Sequence, residues 1–178
     1  GFPGLPDGAP ERYALYLLND VLGGSMSSRL FQEVRERQAL AYAVHSGLQS
    51  YHDTGLFYVY AGTDGANFAR LMKALVKEIR SLKKDGIRAD ELHRAKEHLK
   101  GNLILSLEST SSRMNRVARQ EMRFGEFFSI DDMLAAIDRV RPDGVEAMVH
   151  RILDEDQMTL MSLGPIDRRN LPRELLKA

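Results

Sequence analysis

The sequence predicts an α+β domain in which helices pack on one face of an antiparallel sheet. Two observations carry this prediction. Apolar residues recur at helical spacing over most of the chain, whereas residues 41–62 alternate instead in a pattern rich in Tyr, Val and Phe. Helices and antiparallel strands mixed in this order are typical of α+β domains. We expect residues 1–178 to form one domain of a longer polypeptide, because the chain opens GFPGLPDGAP without an initiator methionine.

The composition is that of a globular domain and excludes several classes of protein. The 178 residues are 43% hydrophobic and 28% charged, which is enough chain for a buried core. Lys plus Arg and Asp plus Glu are 25 each, so no basic face for nucleic acid is expected. The chain has no cysteine, which excludes disulfides and fits the bacterial cytoplasm as its location. No apolar run approaches the roughly 20 residues that cross a bilayer.

The first part of the chain predicts two helices joined by a glycine–serine turn. After a Pro/Gly loop over residues 3–10, leucines at i, i+3 and i+7 predict a helix over residues 11–22. Gly23-Gly24 ends this helix, as glycine commonly does. The serines of GGSMSS are candidates to cap a second helix over residues 28–38.

A β-hairpin is expected next, because residues 41–51 and 55–62 read as strands around the turn formers HDT. Alternation places four residues on one face of the first strand, namely Tyr42, Val44, Ser46 and Leu48.

The second part of the chain returns to the helical period. Asp85-Gly86 breaks one helix, Asp90 is expected to cap the next, and Pro142 fits the first turn of the last. The predicted helices cover residues 66–84, 90–108, 113–123, 130–140 and 143–153, and a final strand is predicted over residues 157–164.

The stretch HRAKEH, residues 93–98, raises the question of a zinc site. Zinc-binding helices of the H-E-x-x-H and H-x-x-E-H types place their histidines four apart. His93 and His98 are five apart, about 140° around a helix, and Arg94 stands where the second type needs its first histidine. We therefore predict a solvated helix surface here and no metal ligands in this chain.

Residues 22–46, LGGSMSSRLFQEVRERQALAYAVHS, carry a specific resemblance that extends over nearly the whole chain. The matching pieces are Gly23-Gly24, Ser28-Arg29-Leu30-Phe31, Arg35-Glu36, Leu40-Ala41-Tyr42, Asp53-Thr54-Gly55, Asp90-Glu91-Leu92, Ala95-Lys96, Leu107-Glu108-Ser109 and Leu163-Gly164. Together they resemble the C-terminal half-domain of the zinc metallopeptidase family that includes pitrilysin, insulin-degrading enzyme and the mitochondrial processing peptidase.

The resemblance implies that the full-length protein has two homologous halves with different roles. In this family the first half carries H-x-x-E-H and binds zinc, and the second half has no zinc ligands and closes over the peptide substrate. The chain looks like the second half. The resemblance therefore implies the substrate-binding domain of a zinc metalloendopeptidase, inactive alone, whose partner is its own N-terminal half or a separate zinc-bearing subunit.

Two residues are implied to face the zinc of the other half, Arg35 and Tyr42. Both side chains are hydrogen-bond donors at neutral pH and can stabilise negative charge on a scissile carbonyl oxygen. Two alternatives stay open from the residues themselves: Arg35 pairs with a neighbouring acid, and Tyr42 is a core residue.

The segment Gly23, Gly24 and Ser25 matches a glycine-rich stretch that lies by the substrate entrance in the processing peptidase's non-catalytic subunit. The resemblance implies substrate contact there, and a helix-ending turn is the alternative. Arg29 is expected to be structural.

Other functions remain open for the whole chain. Family relatives also serve as non-catalytic partner subunits and as structural core proteins of a respiratory complex, and a peptide-binding module without chemistry is a third possibility. A homodimer of this chain is also possible, because the face that the missing half would cover could pair with a second copy.

Overall fold

A three-stranded antiparallel sheet with helices on one face forms the centre of the computed structural model, which describes residues 1–166. Strands β1 (Phe2–Pro3), β2 (Ala43–Ser50) and β3 (Gly55–Gly62) stand in the order β1-β3-β2. The β2–β3 ladder runs from the Ala43–Gly62 pair to the Ser50–Gly55 pair. The predicted fold class and the predicted hairpin are both confirmed.

Six α-helices accompany the sheet: α1 (Arg12–Asn19), α2 (Phe68–Asp85), α3 (Ala89–Leu105), α4 (Thr110–Phe124), α5 (Ile130–Arg139) and α6 (Pro142–Ile152). Two π-helical segments flank the loop after α1, at Asp20–Gly24 and Phe31–Arg37. Short 3₁₀ turns occur at Gly65–Asn67 and Glu155–Gln157. None of the helices in the described part of the chain is long and apolar enough to cross a bilayer.

The first π-helical segment explains how α1 meets the sheet. The hydroxyl of Ser46 on β2 donates to the Asn19 carbonyl at 3.0 Å, where the helix widens. The wider turn brings Gly23 against the same serine, and Gly23-Gly24 then ends the helix as predicted.

One face of the sheet is buried and the other is open. The buried face carries Val44, Ser46 and Phe57, and it packs against a core to which α1, α2, α3 and α6 contribute apolar side chains. On the open face, the His45 ring lies beside the rings of Tyr58 and Tyr60, at centroid distances of 6.1 and 5.1 Å. The helices therefore cover one side of the sheet only.

The predicted caps need correction at several positions. The N-cap of α3 is Arg88 and not Asp90, because the Glu91 carboxylate accepts the Arg88 backbone N–H at 3.0 Å. The α4 helix begins three residues before its predicted start, because the Ser109 hydroxyl accepts the N–H of Ser112. The Ser28 hydroxyl caps nothing: it is buried without a hydrogen-bond partner among residues 1–166.

The final strand predicted over residues 157–164 is wrong. Among residues 1–166, one strand-like contact forms there, a reciprocal pair of backbone hydrogen bonds between Gly1 and Thr159, at 2.8 and 2.9 Å. β1 is two residues long, so no longer ladder forms within the described part of the chain. The same short strand includes Pro3, which the sequence had assigned to a loop.

Candidate functional site

The chain turns sharply between Arg35 and Tyr42, at the end of the second π-helical segment. Ala39 has a φ of 48°, in the left-handed region that glycine usually fills at helix ends. The Leu40 amide reaches back six residues to donate to the Val34 carbonyl at 2.9 Å. This hydrogen bond helps to hold Ala39 in a conformation that costs a non-glycine residue about 1–2 kcal/mol. The packing around the corner therefore fixes its backbone shape.

Tyr42 lies on the open face of the sheet. Its amide donates to the Gly62 carbonyl at 3.0 Å, and its ring lies over the same glycine, where an added Cβ would be 2.5 Å from the ring Cζ. The side chain is 73% exposed, so the alternative of a core tyrosine is wrong. The predicted shared face with Val44 is also wrong, because Tyr42 precedes β2 in a bend and the strand alternation does not reach it.

Arg35 is exposed, and its side chain donates no hydrogen bond to another of the described residues. Its guanidinium stacks on the ring of Phe31, one turn earlier, at 4.9 Å from the ring centroid. It forms no ion pair within residues 1–166, whereas the neighbouring Arg37 pairs with Glu33 at 3.1 Å. A stacked guanidinium is held in place by apolar contact and still presents its N–H groups to solvent.

The glycine–serine segment divides into a buried and an accessible part. Gly23 is buried, and an added Cβ would lie 2.5 Å from the Ser46 amide nitrogen, so close packing of helix on strand requires glycine. Gly24 is exposed, and the Ser25 hydroxyl lies 3.2 Å from that of Ser27. Packing therefore accounts for Gly23, and substrate contact by Gly23, Gly24 and Ser25 stays a prediction.

A buried ion pair joins two of the motif pieces. Arg29 Nε and Nη2 donate to the two carboxylate oxygens of Glu91 at 2.8 and 2.6 Å, and Nη2 also donates to the Gly86 carbonyl at 2.8 Å. Burial would raise the pKa of Glu91, but the bonds from Arg29 and from the Arg88 backbone outweigh burial and hold that pKa below its ordinary value. Residues 62 apart carry no periodic signal, so the sequence did not reveal this contact.

His98 has a partner that the sequence analysis missed. Its Nδ1 lies 2.6 Å from Oδ1 of the buried Asp20, and its Nε2 lies 3.1 Å from the Asn102 amide nitrogen. Burial raises the pKa of Asp20, and the bond to His98 opposes that rise. His93 lies on the exposed surface of α3, as predicted.

These residues do not fit a zinc ion. His98 is already engaged by one carboxylate and one amide, and His93 points elsewhere around the helix. No group of three His, Asp or Glu side chains with metal-binding geometry occurs in the described residues. A tetrahedral zinc site needs at least three protein ligands.

Comparison with known proteins gives consistent matches. Residues 1–99 match the family model described as the peptidase M16 inactive domain. The chain is 42% identical to the uncharacterized zinc protease YmxG of Bacillus subtilis over 156 residues, which is 88% of this chain. It is 41% identical over 173 residues, 97% of the chain, to an uncharacterized zinc protease of Streptomyces coelicolor. The chain spans 38% of the length of each of these relatives.

A solved structure shares the fold. The crystal structure of a peptidase M16 inactive domain from Pseudomonas fluorescens superposes with a TM-score of 0.78 at 24% identity. The match covers 88% of this chain and 38% of that one.

Proposed function

The chain belongs to the peptidase M16 family as its inactive domain, and from this premise we propose that it is the C-terminal, substrate-binding domain of a zinc-dependent metalloendopeptidase. In this proposal, residues 1–178 are one half of a longer protein, and a zinc-bearing N-terminal half or a separate zinc-bearing subunit completes the enzyme. The isolated chain should be inactive. The bacterial relatives and the absence of cysteine support a bacterial cytoplasmic enzyme.

The observation that carries the proposal is that two exposed hydrogen-bond donors, Arg35 and Tyr42, flank the corner at Ala39. Hydrolysis of a peptide builds negative charge on the scissile carbonyl oxygen, and each donor aimed at that oxygen contributes roughly 3–4 kcal/mol of transition-state stabilisation. The Tyr42 hydroxyl has no protein acceptor among residues 1–166, and Arg35 has no carboxylate partner there. Neither donor has to break a hydrogen bond to another side chain of residues 1–166 before it receives the substrate.

The open face of the sheet supports a specific position for the partner half. Tyr60 is 49% exposed beside His45, and Leu56 is also exposed on that face. An antiparallel sheet can leave one face in water, but exposed aromatic and apolar side chains on that face favour its being covered by another layer. Because the Tyr42 ring lies on the same face, a half that covers this face stands opposite the tyrosine. We propose that the substrate binds between them, with Gly24 and Ser25 as further contacts.

The test is made on the full-length protein. Its sequence before Gly1 should contain H-x-x-E-H, and the zinc-loaded protein should hydrolyse oligopeptides, detected by mass spectrometry of the fragments. Removal of zinc by a chelator should stop the reaction and added zinc should restore it. The proposal is wrong if H-x-x-E-H is absent both upstream and from a neighbouring gene.

The alternative, a non-catalytic partner subunit or structural core protein of the same fold, predicts another result. In that case the full-length protein hydrolyses nothing alone. If the protein is a partner subunit, adding a zinc-bearing subunit produces peptide hydrolysis. If it is a structural protein, the same addition produces none.

A further inference from the structure

A groove of about 460 Å³ lies between α1 and α4, and its lining is strongly cationic. Four arginines line it: Arg12, Arg116, Arg119 and Arg123. Its Asp7 end lies beside Tyr51, since the Asp7 amide donates to the Tyr51 carbonyl at 2.9 Å. Tyr51 follows the last residue of β2 and Tyr42 precedes its first, so roughly 27 Å of strand separates this arginine groove from the site at Tyr42.

The positive charge of the arginine groove is mostly unbalanced. Asp7 is the one acidic residue of its lining in the described part of the chain, and it pairs with Arg123 at 3.2 Å. Arg119 is exposed and has no ion-pair partner among residues 1–166. Excess guanidinium groups in a concave site favour an anionic ligand, because the walls limit screening by water.

Arg116 adds an unsatisfied donor. Its Nη2 donates to the Phe128 carbonyl at 2.6 Å, but its Nε is buried and has no acceptor among the described residues. A buried charged donor without an acceptor is unfavourable, and this one belongs to a side chain that lines the groove.

Aromatic rings form the wall beside these charges. The Arg12 guanidinium lies 4.8 Å from the ring centroid of Tyr13, 5.4 Å from that of Phe128 and 5.7 Å from that of Phe124. The rings hold Arg12 in place and also offer apolar surface. A single phosphate ion would use the charges and leave the rings unused, whereas a peptide with acidic side chains uses both.

α4 turns polar side chains toward the body of the domain, where Arg116 and Gln120 both hydrogen-bond the Phe128 backbone. Its outer side carries Met114 and Met122, which are 66% and 86% exposed, while Arg116 and the buried Gln120 face the body. A surface helix normally turns its apolar stripe inward. Here the polar stripe faces inward, toward the groove.

We propose that the arginine groove binds an acidic segment of a peptide, with the carboxylates on the arginines and the rest of the segment against the rings. The groove and its charges carry this inference, which does not depend on peptide hydrolysis at Tyr42.

Binding is measured by fluorescence anisotropy on the purified full-length protein with its zinc removed, with a labelled hexaglutamate peptide and a hexaglutamine peptide as the neutral probe. Hexaglutamate should bind, and its affinity should fall by about tenfold or more as the salt concentration rises from 50 to 300 mM. Hexaglutamine should not bind. Equal binding of the two peptides, or none by hexaglutamate, overturns the proposal.

Two arginine variants locate the site. Arg119→Gln should weaken hexaglutamate binding at least about fivefold, because it removes one free guanidinium from the lining. Arg70→Gln is the matched control, since Arg70 is exposed on α2 outside the groove and the charge change is the same. Equal effects of the two variants, with unchanged circular dichroism, overturn the assignment. Binding of inorganic tripolyphosphate that hexaglutamate cannot displace also overturns it.

Discussion

Arg29 and Glu91 form a bidentate ion pair, with N–O distances of 2.8 and 2.6 Å, that joins the helical residues just before the second π-helical segment to the first turn of α3. The Gly86 carbonyl accepts from the same guanidinium, so three parts of the chain meet at one side chain. The segment that presents Arg35 starts at this anchor.

Removal of Arg29 should destabilise the fold strongly. Arg29→Met leaves the Glu91 carboxylate buried without its main partner, and broken buried pairs typically cost about 3–5 kcal/mol. The double variant Arg29→Met, Glu91→Met should recover a large part of that loss, because both charges are gone. Urea unfolding of the two variants checks this. Equal losses in the free energy of unfolding would mean that the Glu91 carboxylate, left without Arg29, is not the cause.

The same pair predicts a dependence of stability on pH. The folded-state pKa of Glu91 is below its unfolded value of about 4.5. Its contribution to stability is therefore fully present above the unfolded pKa and is lost as the pH falls through the folded pKa. The free energy of unfolding should fall less steeply below pH 4.5 in the double variant than in the unmodified chain, measured by urea unfolding between pH 3 and 6.

Loss of the Tyr42 hydroxyl should slow peptide hydrolysis in the full-length zinc-loaded protein. Tyr42→Phe keeps the ring over Gly62 but removes the donor, and kcat/KM should fall about 10²–10³-fold. Zinc content, measured by atomic absorption, should not change. Tyr60→Phe removes a hydroxyl from the same open face and is the control. If both variants keep the unmodified kinetics, Tyr42 has no role in the transition state.

Two glycine substitutions should change stability in opposite directions. An alanine Cβ at Gly23 would lie 2.5 Å from the Ser46 amide nitrogen and 2.8 Å from its hydroxyl, so Gly23→Ala should destabilise by about 1–3 kcal/mol. Gly101 lies inside α3 with nothing within 4 Å of an added Cβ, so Gly101→Ala should stabilise by about 0.5–1 kcal/mol. Thermal unfolding of both variants measures the difference. A harmless Gly23→Ala would show that α1 and β2 can move apart at no cost.

The secondary structure was largely predictable because its signals are local. The period of two and the HDT turn predict the hairpin, and glycine or proline at Gly86 and Pro142 marks where helices end or begin. The prediction of the final strand failed for the same reason, since residues 157–164 have a strand-like pattern but, among residues 1–166, lack a neighbouring strand of sufficient length.

The fold class, most helices and the family resemblance could be predicted from the order of the residues alone, because propensity, periodicity and motif spacing are local properties of the chain. Only the tertiary structure decided which face carries Tyr42, that Asp20 engages His98, that Arg29 engages Glu91, and that four arginines converge on one groove. These relationships join residues far apart in the chain. They depend on how helices and strands pack, and packing distances leave no periodic mark in the order of the residues.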